Sequence, residues 1–97
     1  MIAELRFDVS SDLLEFPDYI KDKLEAYQEQ FWKWLFDKNI EHKYWCFKNG
    51  LKEYVSYRGD AFVEWLNLYP LSDNPLKAKI IETHINKEVN CDIVLYF

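Results

Sequence analysis

Two histidines and two cysteines are the residues of this chain best suited to metal binding: His42, His84, Cys46 and Cys91. His42 and Cys46 lie four positions apart in a segment predicted to be a strand, and four strand residues span about 13 Å. A metal ion holds its ligands about 2 Å away, and no other spacing here resembles a ligand pair. The sequence therefore predicts no metal site, and nothing in it indicates a cofactor.

Catalytic groups are equally hard to assemble. Ser56, His42 and a carboxylate could be combined into a triad, but no strained turn or activating context surrounds any serine or cysteine. The two glycines, Gly50 and Gly59, suit a tight turn and the start of a helix, which leaves none for a phosphate-binding loop. We therefore predict a protein that is not an enzyme and that acts by binding.

Acidic residues do recur at regular spacing. Carboxylates appear three or four positions apart along one segment: Glu15, Asp18, Asp22, Glu25 and Glu29. At about 100° per residue they lie on one side of a helix. Trp32 and Phe36 lie on the same side, and aromatic side chains beside charges are typical of protein contact sites. The predicted partner-binding residues are Asp18, Asp22, Glu25, Glu29, Trp32 and Phe36.

Two plainer interpretations of this segment stay open. The carboxylates could form an ordinary solvated face, because charged rows on helices usually do. Trp32 and Phe36 could be buried under the Ser10–Phe16 turn or a neighbouring loop.

The net charge of −5 favours a protein partner with a basic surface over nucleic acid. Residues 1–41 hold ten acidic and five basic residues, whereas residues 42–97 hold seven of each. Nucleic-acid binding needs clustered lysines and arginines to neutralise phosphates. We therefore expect no direct contact with nucleic acid.

The expected location is the cytoplasm. No apolar segment approaches the roughly 20 residues that a helix needs to cross a membrane, and no signal peptide precedes the first strand-like segment. Cys46 and Cys91 lie in apolar segments, which favours free thiols in a reducing compartment.

The segment Pro17–Lys38 is the clearest helix, because apolar residues recur there at spacings of 4, 3, 4 and 3: Ile20, Leu24, Tyr27, Phe31 and Trp34. Before it, residues 2–9 alternate as a half-buried strand, and residues 13–16 are predicted to form a short turn.

Residues 42–57 predict a β-hairpin. The runs 42–48 and 51–57 are aromatic and β-branched, and they flank Asn49-Gly50, a dipeptide that suits a type I′ turn. The expected register pairs Cys46 with Glu53 and Trp45 with Tyr54.

The last third of the chain is predicted as two helices and a strand. Asp60 caps a helix that Pro70 ends, residues 75–86 form another helix, and residues 91–97 form the strand. Strand alternation fits residues 75–86 less well, because Ile80 and Ile81 would point to opposite faces.

Together these elements predict a single α+β domain over residues 1–97. With the last two helices counted as one broken crossover, the order is β-α-β-β-α-β. That order is typical of a ferredoxin-like sandwich, in which helices cover one face of an antiparallel four-stranded sheet.

The functional hypothesis is a binding protein whose acidic helix covers a basic, nucleic-acid-binding surface of another protein. Inhibitors that phages encode against host defences, including anti-CRISPR proteins, often have this size and charge, which is an argument by analogy. The alternative is a homodimer that binds a small ligand between its sheets. Its interface would be the uncovered, aromatic sheet face: Trp45, Phe47, Tyr54 and Tyr96.

Overall fold

The structure, a computed structural model, describes residues 1–97. Its strands are β1 (Ile2–Arg6), β2 (Ser11–Glu15), β3 (Trp45–Lys48), β4 (Leu51–Val55), β5 (Lys79–Ile85) and β6 (Ile93–Tyr96). Its α-helices are α1 (Leu24–Leu35) and α2 (Gly59–Leu68), and a 3₁₀ helix (Asp18–Lys23) precedes α1.

Four strands form a mixed sheet in the order β5-β2-β1-β6. Strand β1 pairs antiparallel with β2 and parallel with β6, and β2 pairs antiparallel with β5. Strands β3 and β4 form a separate two-stranded sheet. The α+β class is confirmed, but the ferredoxin-like prediction of an antiparallel four-stranded sheet is wrong. The β3–β4 hairpin lies outside the four-stranded sheet, and β2 and β5 take the positions predicted for its two strands.

Strand β2 replaces the turn predicted around residues 13–16. The polar residues Ser11 and Asp12 suggested a break in the sequence, but both are buried within the strand. Asp12 lies opposite Leu5 and therefore faces the helices with it, whereas Ser11 lies opposite Arg6 on the other face. Both polar side chains are hydrogen-bonded, so they tolerate burial.

Strand β5 replaces the predicted helix over residues 75–86. Leu14 pairs with Ile80 and Leu13 pairs with Glu82, so Ile81 is an extra residue in a β-bulge. The bulge removes the objection that Ile80 and Ile81 break the alternation. A second bulge follows between the partners of Leu13 and Ser11.

The hairpin is confirmed with one change of register. Asn49 (φ 52°) and Gly50 (φ 77°) both have positive φ, as a type I′ turn requires. Lys48 pairs with Leu51 beside the turn, but a bulge after the next pair shifts Tyr54 opposite Cys46 and Val55 opposite Trp45. The predicted Cys46–Glu53 and Trp45–Tyr54 pairs are therefore wrong.

The predicted long helix is divided in two. Its first part is the 3₁₀ helix, and α1 ends at Leu35, three residues before the predicted end at Lys38. Its apolar stripe is confirmed: Ile20, Leu24 and Phe31 are buried, and the remaining two members pack against the core.

The core lies between the helices and one face of the mixed sheet. Its members include Ala3, Leu5 and Leu14 from the sheet and Phe31 and Phe62 from the helices. The rings of Phe31 and Phe62 meet edge to face with centroids 5.3 Å apart. Each such side chain contributes about 1.5–3 kcal/mol on burial, so this layer holds the outer surfaces of both helices in place.

Candidate functional site

A cleft of about 440 Å³ opens between the start of α2, strand β5 and the hairpin base. At its floor lies Asp12, which is 1% exposed. The Arg58 guanidinium donates from Nη2 to Asp12 Oδ1 (2.8 Å), and the N–H groups of Gly59 (2.9 Å) and His84 (3.1 Å) donate to the two carboxylate oxygens. The Asp12 carboxylate therefore joins β2, α2 and β5.

This cluster, Asp12 with Arg58, Gly59 and His84, explains two local features. Asp60 was predicted to cap α2, but the helix begins at Gly59, and the Gly59 N–H is capped by Asp12 from a distant strand. His84 has φ 55°, a left-handed conformation that is costly for a residue with a side chain. This conformation occurs at the bulge that brings the His84 N–H to Asp12.

The charge state of Asp12 follows from its surroundings. Burial raises the pKa of Asp12, but hydrogen bonds from Arg58, Gly59 and His84 outweigh that effect and hold the pKa below its usual value. The carboxylate is thus ionised, and because Arg58 Nε also donates to Oδ2 (3.4 Å), each of its two oxygens accepts two hydrogen bonds. It has no free lone pair for proton abstraction or metal binding, so we assign it to holding the fold.

The other polar groups near the cleft are also engaged. The Tyr44 hydroxyl donates to Glu64 Oε2 (2.6 Å), and burial together with this bond raises the pKa of Tyr44. His42 Nε2 contacts the Leu35 carbonyl oxygen (2.8 Å), and its Nδ1 accepts from the Tyr44 N–H (3.2 Å). His42 is therefore occupied at both nitrogens and is not placed to activate Ser56.

No three residues among histidine, cysteine, aspartate and glutamate come together as metal ligands do. Both cysteines are free thiols and half-buried. No helix of the molecule is long and apolar enough to cross a membrane.

The predicted partner-binding carboxylates are all exposed, but they do not form one continuous row. Glu15, which began the predicted row, lies on β2 and pairs with Lys79 (3.3 Å). Asp18 lies in the 3₁₀ helix, where four residues turn by about 120° beyond a full circle. That rotation carries Asp18 away from the side that Asp22 occupies.

What remains is a three-carboxylate face on the helical segment, which we call the acidic face: Asp22, Glu25 and Glu29. No lysine or arginine nitrogen lies within 4.0 Å of any of these carboxylates. Lys21 and Lys33 stand one turn from Glu25 and Glu29 without forming ion pairs. The acidic face is thus solvated and available.

The two predicted aromatic anchors differ from each other. Trp32 is half-buried, because its ring packs edge to face on Phe97 (5.8 Å between centroids). Phe97 therefore covers part of the Trp32 ring. Phe36 is 54% exposed just beyond the end of α1, so it is the one of the pair that is free for contact.

The predicted aromatic sheet face does not exist as a single surface. Trp45 is buried, and Tyr96 lies on β6 of the other sheet. Phe47 pairs with Lys52 whereas Tyr54 pairs with Cys46, which places the two exposed rings on opposite faces of the hairpin. Their use in self-association stays a prediction, now without the shared face on which it was based.

Comparison of this chain with known proteins found no relatives. Models of protein families, curated proteins and solved structures gave no match.

Two features escaped the sequence reasoning. The role of Asp12 was missed, because a polar residue at this position predicts a break after the first strand. A signal for its role was its position between Ser11 and the apolar residues Leu13 and Leu14, where an aspartate needs donors if the segment is buried. The exposed pair Tyr19 and Leu76 was also missed, because residues so distant in sequence meet only in the folded chain.

Proposed function

We propose that this protein binds another protein through the acidic face and has no catalytic activity of its own. The observation that carries the proposal is the unpaired state of Asp22, Glu25 and Glu29. Of the other fourteen acidic residues, six form ion pairs and eight do not, so the distinguishing feature of these three is that they are unpaired, exposed and neighbours on one helical segment. Three neighbouring carboxylates without internal partners are suited to meeting lysines and arginines on another surface.

The proposed partner presents a basic, nucleic-acid-binding surface. Carboxylates on successive helical turns stand about 5–6 Å apart at Cβ, which is close to the spacing of phosphates along a strand. A surface that binds phosphates therefore accepts the acidic face. Blocking such a surface is inhibition, and the phage-encoded anti-defence type is the version we propose.

Phe36 supplies apolar contact at the C-terminal end of the acidic face. It stands beside Tyr57, with ring centroids 6.4 Å apart, so its position is fixed on one side while the other faces solvent. Exposed aromatic residues next to charges commonly dominate binding energy. The free thiols of Cys46 and Cys91 favour the cytoplasm as the location of this binding.

Capture with matched charge variants tests the proposal. The protein is immobilised and incubated with a lysate of the cells in which it is naturally expressed, and the retained proteins are quantified by mass spectrometry. The test variant is Asp22→Lys/Glu25→Lys. The control is Asp8→Lys/Glu88→Lys, which changes the net charge equally at exposed, unpaired acids elsewhere.

The proposal predicts a retained protein with a basic surface that the control keeps and the test variant loses. Its affinity should also fall as salt rises. Equal retention by the test variant and the wild-type protein would overturn the proposal.

A further inference from the structure

A groove of about 450 Å³ lies at the start of the 3₁₀ helix, next to Asp18. Tyr19 (56% exposed) and Leu76 (63% exposed) rim it, and the buried residues Phe16 and Pro17 contribute to its lining. Burying these two large apolar side chains in a contact would be favourable.

Asn74 holds the two rim residues in place. Its side-chain amide nitrogen donates to the Tyr19 hydroxyl, and its side-chain oxygen accepts the N–H of Leu76 (2.8 Å). The rim is therefore organised before anything binds, which lowers the entropic cost of filling the groove.

Tyr19 is the residue that connects the groove with the acidic face, because it lies one 3₁₀ turn before Asp22, on the same side of one continuous helical segment. From Tyr19 to Glu29 the segment rises about 16–18 Å at about 2.0 Å per residue in 3₁₀ geometry and 1.5 Å in α geometry. An extended peptide covers this length with about five or six residues at about 3.3 Å each. A bulky apolar residue at one end of a short basic segment would therefore reach the groove while its cations reach Glu25 and Glu29.

We infer that the groove at Tyr19 and Leu76 receives a bulky apolar side chain that adjoins the basic segment of the partner. This inference rests on the proposed function, and it adds the chemistry of the partner. The partner segment carries an apolar residue, followed by basic residues that recur at every second position of an extended chain. The attraction of the carboxylates sets the register, and the groove supplies the apolar contact.

Synthetic peptides test the inference without a known partner. The probes are fluorescein-labelled Trp-Gly-Ser-Arg-Gly-Arg-Gly-Arg, the same residues in reverse order, and each peptide with alanine in place of tryptophan. Dissociation constants are measured by fluorescence anisotropy at low salt. We expect tryptophan to lower the dissociation constant about tenfold in at least one orientation. That gain corresponds to the binding free energy expected when a large apolar side chain is partly buried.

Three variants assign that gain to the groove. Tyr19→Ser/Leu76→Ser should abolish the tryptophan gain, and Asn74→Ala should reduce it about threefold because the rim loses its support. The control Phe47→Ser/Leu51→Ser removes an equally exposed apolar pair on the hairpin and should keep the gain. Circular dichroism confirms that each variant is folded.

The outcomes separate the groove from the acidic face. A tryptophan gain that is absent in both orientations, or that survives Tyr19→Ser/Leu76→Ser, overturns the inference about the groove. Binding of the alanine peptides reports on the acidic face alone, and its persistence in Asp22→Lys/Glu25→Lys would count against the proposed function instead.

Discussion

Asp12 and Asp22 are the same residue type, and the protein surrounds them in opposite ways. Asp12 is buried and accepts hydrogen bonds from Arg58, Gly59 and His84, whereas Asp22 is exposed and has no ion-pair partner. A buried charge must be paired to be tolerated, and an exposed charge need not be. The acidic residues of this chain therefore have two kinds of surroundings: Asp12 is committed to the fold, whereas Asp22 is exposed and unpaired, as the proposed binding requires.

Removing the buried charge should have the largest effect. Asp12→Asn leaves Arg58 without its partner carboxylate and weakens the cap of α2, so we expect a loss of about 3 kcal/mol in the free energy of unfolding. Urea denaturation measures it, with Asp22→Asn as the control. A loss below about 1 kcal/mol, comparable to that of a surface site, would contradict the role assigned to Asp12.

The packing around Asp12 gives the next largest effect. A Cβ on Gly59 would lie 2.9 Å from Asp12 Oδ2 and 3.0 Å from Leu5 Cδ1. We expect Gly59→Ala to cost about 2 kcal/mol, as overpacking does. Gly50→Ala is the comparison, because Gly50 has open space around it and positive φ, so its cost of about 1 kcal/mol arises from backbone conformation alone. Equal effects at both glycines would show that the neighbourhood of Asp12 relaxes easily.

Acid should remove the stability that the Asp12 carboxylate contributes. The pKa of Asp12 is lower in the folded protein than in the unfolded chain. The stability that Asp12 contributes is therefore present above its unfolded pKa, near pH 4, and is lost as the pH falls below that value. Unfolding free energies measured between pH 2 and pH 7 should fall less steeply in Asp12→Asn than in the wild-type protein. Parallel curves would contradict the lowered pKa.

Reversing the exposed charges should have the smallest effect on stability. Asp22→Lys/Glu25→Lys is expected to change the free energy of unfolding by about 0.5 kcal/mol or less, since neither side chain has an internal partner. Thermal and urea denaturation check this value. A loss as large as that of Asp12→Asn would mean that the acidic face belongs to the fold.

Local patterns were predictable from the sequence, and the tertiary consequences were not. Two local features were predicted from residues that are close in sequence, and both occur in the structure. They are the apolar stripe from Ile20 to Trp34 and the Asn49-Gly50 turn. Strands β2 and β5 were missed because buried polar residues in β2 and bulges in β5 interrupt the alternation of apolar and polar residues that identifies a strand. Such features depend on donors from distant segments, as Asp12 depends on Arg58.

The candidate surface shows the same division. Exposure of Asp22, Glu25 and Glu29 followed from helical periodicity, but the 3₁₀ geometry that displaces Asp18 did not. Trp32 shares the helical side of the carboxylates, yet Phe97 covers it. The packing of Phe97 against a helix is not encoded in the period of that helix.

The most direct test is the dissociation constant of the captured partner for Asp22→Lys/Glu25→Lys, measured beside the Asp8→Lys/Glu88→Lys control. The account predicts at least a tenfold weaker complex for the acidic-face variant, equivalent to about 1.4 kcal/mol, and less than a twofold change for the control. Equal affinities for the two variants would contradict it, because the acidic face would then contribute no more than any other exposed carboxylates.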